Sequence, residues 1–81
     1  MAIMNFEHTD TFGGESNYSW VRRESHEIDE NKKPLTAIQV VRRAKAFAGF
    51  TGLKCRVENY GDFISIWPRN LCQVVFVTFE Y

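Results

Sequence analysis

Leu71-Cys-Gln-Val-Val-Phe-Val-Thr-Phe-Glu-Tyr81 is the stretch that decides the fold. At period two, Leu71, Val75, Val77, Phe79 and Tyr81 fall on one side, and Cys72, Val74 and Phe76 on the other. A strand with two apolar faces needs two covers. Upstream, one helix is convincing. Thr36 and Gln39 form a capping-box pattern, and Ala37, Val40, Val41, Ala44, Phe47 and Ala48 make one helical stripe that Ile38 widens. Gly49 and Gly52 bracket the exit, so the spacing predicts a helix over 36–49.

Strand signals flank this helix. Ile3–Phe12 alternates imperfectly, Gly13-Gly14-Glu15-Ser16 supplies a turn, and Asn17–Glu24 continues with Tyr18 and Trp20, which together suggest a hairpin. Asp29–Pro34 is a polar loop. After the helix come Lys54–Tyr60, a turn at Gly61-Asp62, Phe63–Trp67, a turn at Pro68-Arg69-Asn70, and the final strand. Short connections favour antiparallel neighbours. The expected fold is a single α+β domain over 1–81, a four- to five-stranded antiparallel sheet with one helix on one face, in the order ββαβββ.

A helix of this length is ~21 Å long and ~10 Å wide, whereas five strands ~4.8 Å apart span roughly 20 Å. One helix cannot roof that sheet and leaves its other face bare. If Val74, Phe76 and Ile64 or Ile66 faced water, each would forgo about 1.5–3 kcal/mol of burial. The expectation is therefore a second cover: the N-terminal hairpin, a second copy, or a partner. Self-association through the sheet or the C-terminal edge is its simplest form.

Composition sets the class. Eighty-one residues make one small domain, and 44% hydrophobic and 15% aromatic content is that of a folded chain. Ten basic residues balance ten acidic ones, which disfavours generic coating of nucleic acid. The charges are segregated, though. Residues 1–30 hold Glu7, Asp10, Glu15, Glu24, Glu27, Asp29 and Glu30 against Arg22 and Arg23, whereas 42–56 hold Arg42, Arg43, Lys45, Lys54 and Arg56 with no acid. Cys55 and Cys72 fall in predicted strands without metal-ligand spacing and read as small buried hydrophobes, the alternative being a disulfide between adjacent strands, which needs an oxidising compartment. No charged-then-apolar leader and no apolar run near ~18 residues is present, so a cytoplasmic setting without membrane contact is expected.

Chemistry-bearing motifs are sparse. His8 and Asp10 could meet on one strand face, and His26 and Asp62 are the other acid-base candidates, but no nucleophile motif accompanies them. No catalytic residue, metal site or cofactor is assigned, and an enzyme is not expected. The interaction candidates are Tyr18, Trp20, Arg22 and Arg23 on the hairpin, beside Asn17, with Arg42 and Arg43 contributing charge. The alternative is a nucleic-acid module that uses Arg42, Arg43, Lys45, Lys54 and Arg56 with stacking aromatics such as Tyr18, Trp20, Phe63 and Trp67.

Thr11-Phe-Gly-Gly-Glu-Ser-Asn-Tyr-Ser-Trp-Val-Arg-Arg23, a TFGGE-x-NY-x-WVRR segment, resembles a stretch in small accessory proteins of tailed phages and prophages. Asn59-Tyr-Gly-Asp-Phe-Ile64 and Arg69-Asn-Leu-Cys-Gln-Val74 are similar to the later part of those proteins, so the likeness spans most of the chain. It brings no activity, cofactor or catalytic residue. It implies a setting: a compact domain in the host-cell cytoplasm that binds, and in some cases inhibits, a host protein.

Overall fold

The computed structural model describes residues 2–29 and 31–81; Glu30, in the expected polar loop, lies outside the described residues. β1 (Ala2–Phe12) and β2 (Glu15–Ile28) form an antiparallel hairpin. Its turn residues Gly13 and Gly14 both have positive φ, 64° and 83°. A two-residue hairpin turn of the primed type demands that backbone, and glycine adopts it without a Cβ clash.

α1 (Ala37–Ala48) begins at the capping box read from the sequence. Thr36 Oγ1 accepts from Gln39 N (3.2 Å), and Gln39 Oε1 accepts from Thr36 N (2.9 Å). Left-handed Gly49 ends it. Val40, Ala44 and Ala48 are buried, but Ile38 is 71% exposed and does not widen the stripe. Two residues before Val40, it lies about 200° around the helix and so on the solvent side.

β3 (Cys55–Asn59), β4 (Phe63–Pro68) and β5 (Gln73–Glu80) form a meander, completing one five-stranded antiparallel sheet of order β2-β1-β5-β4-β3. The α+β class and the ββαβββ order match the expectation. The C-terminal strand, however, is no edge. β5 is bonded to β1 on one side and β4 on the other, so a second copy cannot pair there. A strand apolar on both faces gains most in the centre, where neighbours flank it on each side. Leu71 and Tyr81 lie outside β5 and are exposed.

The helix covers one sheet face. Met4 and Phe6 of β1, Ile64 and Ile66 of β4, and Val75 and Val77 of β5 pack with Val40, Ala44, Ala48 and Phe50 in one core. The opposite face carries no helix, yet the shortage of cover read from the sequence is smaller than expected. Val74 is 0% exposed and Phe76 is half-buried. Phe63 stacks on Phe76 at 5.6 Å between ring centroids, and Trp67 meets it edge-on at 6.1 Å. Rings on neighbouring strands thus shield one another sideways, and Val74 is fully covered within the protomer.

Candidate interaction surface

The hairpin is regular except at one place. Thr11 pairs with Ser16 but Thr9 with Val21, so residues 17–20 of β2 stand against Asp10 alone. This bulge is organised by one carboxylate. Asp10 accepts from Ser19 Oγ (2.6 Å), Asn17 Nδ2 (2.9 Å) and Ser19 N (2.9 Å). Those bonds, led by the Ser19 and Asn17 side chains, lower its pKa from 3.8 to about 2. Tyr18, at the bulge, has φ 56°, a left-handed backbone that costs a non-glycine residue about 1–2 kcal/mol.

The bulge decides which way each hairpin candidate points. Tyr18 and Arg23 converge on the helix-free face. The Tyr18 hydroxyl donates to Glu7 Oε1 (2.7 Å) and Arg23 Nε donates to Glu7 Oε2 (3.0 Å), so both oxygens of one carboxylate are engaged. The bond to Glu7, with lesser contributions from burial and the negative charge, raises the Tyr18 pKa above its usual value. Beside them, Ser25 Oγ and Asn5 Oδ1 are 2.6 Å apart. These residues and Thr78 frame a hollow of about 360 Å³ whose apolar lining includes Phe63 and Phe76. Further along the face, the Arg56 guanidinium lies 5.1 Å from the Trp67 ring and pairs with Glu58 (3.2 Å).

Trp20 and Arg22 turn to the helix side instead. The buried His8 ring meets Trp20 edge-on at 4.7 Å and Phe50 at 5.3 Å, while Arg22 sits 5.2 Å over Phe47. His8 Nε2 is 2.9 Å from Gln73 Oε1, and its buried Nδ1 has no hydrogen-bond partner among the described residues. Burial foremost, and the Arg22 charge, lower the His8 pKa against the opposing Gln73 bond. His8 and Asp10, which share a strand face in the sequence, therefore do not meet: an aromatic cage holds one and the bulge captures the other. His26 pairs with Glu24 (3.1 Å), and Asp62 stays in the β3–β4 turn. Among the described residues, no three His, Cys, Asp or Glu side chains are grouped to hold a metal.

The basic residues are dispersed. Arg42 and Lys45 line one hollow with Ile38 and Val41, and Arg43 lines another with His26, Glu27 and Lys33. Lys45 Nζ donates to Leu53 O (2.9 Å), while the Lys54 carbonyl accepts from Arg69 N. Arg56 is on the opposite side of the sheet, so the five bases do not share one surface. Cys55 and Cys72 are free; Cys72 precedes β5 and is exposed, against the expectation of a buried strand residue.

Glu7 does not stand out in the sequence, for a definite reason. The pairing of Phe12 with Glu15, continued without a break, would set Glu7 opposite Trp20; the bulge sets it opposite Arg23. Only the run of short polar residues Ser16, Asn17 and Ser19 near Asp10 hints at that shift. No family model matches this chain, and neither a curated protein nor a solved structure does.

Proposed function

We propose that this chain is a non-enzymatic interaction protein that binds a partner protein through the helix-free face of its sheet. The observation that carries the reading is the hollow framed by Glu7, Tyr18 and Arg23 and lined by Phe63 and Phe76. Half-buried aromatic rings beside an ordered arginine are the side-chain types that dominate binding energy at protein interfaces. Their mutual packing holds them in place before binding, which lowers the ordering cost. The carboxylates of Glu7 and Asp10 are occupied by structural hydrogen bonds, which favours binding over acid-base chemistry.

The resemblance to phage accessory proteins makes a bacterial host protein the natural partner. The test is capture from bacterial lysate by tagged chain. The wild type and Ile38→Ser, altered on the exposed helix surface, should retain one defined protein; Phe76→Ser and Trp67→Ala should lose it. Equal capture by all four would defeat the reading.

A second reading rests on Arg56 stacked over Trp67 near Phe76, an arrangement on which a base of single-stranded nucleic acid could stack. Absence of oligonucleotide binding at low salt removes it.

A further inference from the structure

We propose that two copies of this chain join through β2, edge to edge and antiparallel, about a two-fold axis at Ser25, making one ten-stranded sheet. β2 is a terminal strand of the sheet, and it pairs regularly with β1 from Val21 to Ile28. Its other edge meets no strand among the described residues. That stretch has neither proline nor lysine, and the four charges it does carry, Arg22, Arg23, Glu24 and Glu27, are two of each sign, so they deter a foreign strand more than a copy that matches them in register. The other terminal strand, β3, is only 5 residues long and is blunted by its shortness.

The side chains select the second copy as the occupant. In a two-fold antiparallel pair the axis residue faces its own image, and residues equally far to either side face each other. With Ser25 on the axis, Arg23 faces Glu27 of the other copy and Glu24 faces His26, each twice. An axis at Arg22, Arg23 or Glu24 would oppose like charges, which is destabilising, and one at His26 would oppose two imidazoles. Within residues 22–27, where an axis at Glu27 would likewise oppose two carboxylates, Ser25 is the one residue without an ionisable side chain. The Arg23–Glu7 ion pair and the His26–Glu24 contact within each copy then extend across the axis as alternating partners. This inference rests on the reading of the chain as an interaction protein but uses the edge of the sheet; Arg23 and Ser25, which also frame the hollow, are shared, while Phe63, Phe76 and Trp67 stay uncovered.

Sedimentation of the full chain at about 100 μM, well above the Kd of a specific dimer, should show a dimer. Arg23→Glu and Glu27→Arg each set like charges opposite one another twice and should weaken association at least about tenfold. Mixing the two variants restores both opposite-charge pairs and should restore a dimer, a result that misfolding cannot produce. Separately, Ser25→Cys in a Cys72→Ala background should cross-link on mild oxidation, since directly paired Cα atoms lie about 4.5–5.5 Å apart, within disulfide reach. Arg23→Cys should not, because its two copies would be ~13 Å apart along the strands. A monomeric wild type, a mixture no more associated than its components, or equal cross-linking at both positions overturns the proposal. A monomer that still captures a host protein refutes this dimer alone, whereas a dimer indifferent to Phe76→Ser in capture refutes the face alone.

Discussion

Asp10 holds a backbone shape that β2 does not adopt unaided, because Tyr18 lies in the left-handed region and three donors around it need an acceptor. Its folded pKa of about 2 lies below the free value of 3.8. The stability this shift contributes is therefore present above pH 3.8 and is lost as pH falls toward 2. Asp10→Ala should lower stability near neutrality and flatten the pH dependence between about 4 and 2, as followed by urea denaturation. His8 also has a depressed pKa, but it is charged when protonated. The unfolded chain takes a proton near 6.5 that the folded aromatic cage resists, so stability is intact above that pH and declines below it. The melting temperature should fall as pH drops below about 6.5. His8→Phe, which keeps a ring against Trp20 and Phe50, should lessen the fall.

At the scale of elements, local sequence and local structure agree most closely in α1. Both ends are set within a few residues: the Thr36–Gln39 box satisfies orphan amides, and Gly49 turns the chain at φ 77°. Thr36→Ala should cost about 0.5–2 kcal/mol, measured by denaturation. Its buried stripe is narrow because Ile38 points to solvent. Strand β5 is also legible as a strand, but its neighbours are not. Its two apolar faces are equally compatible with an edge awaiting a partner and with a central position, and the choice depends on where β1 returns in space. β2 shows the opposite limit: three extra residues at the bulge re-register every pair from Thr9 to Ala2, beyond the reach of periodicity.

For the whole molecule, the two faces of the sheet are stabilised differently. On the helix side, Phe50 is fully buried in the core, and Phe50→Ala should cost about 3–5 kcal/mol. On the helix-free side, Phe76 is only half-buried among Phe63 and Trp67, so Phe76→Ala should cost distinctly less in the same denaturation assay. That difference sets the face that holds the fold together apart from the face proposed for binding.

The sequence by itself determined the fold class, the helix with both caps, the glycine turn and the strand content, because each follows from interactions between residues close along the chain. Tertiary structure alone decided that β5 is central, that Tyr18 and Trp20 leave opposite faces, that Glu7 gathers Tyr18 and Arg23, and that aromatic rings shield Phe76 sideways. Those outcomes depend on hairpin register and strand order, which arise from pairings between residues far apart in the chain, and a shift of three residues is enough to redirect them.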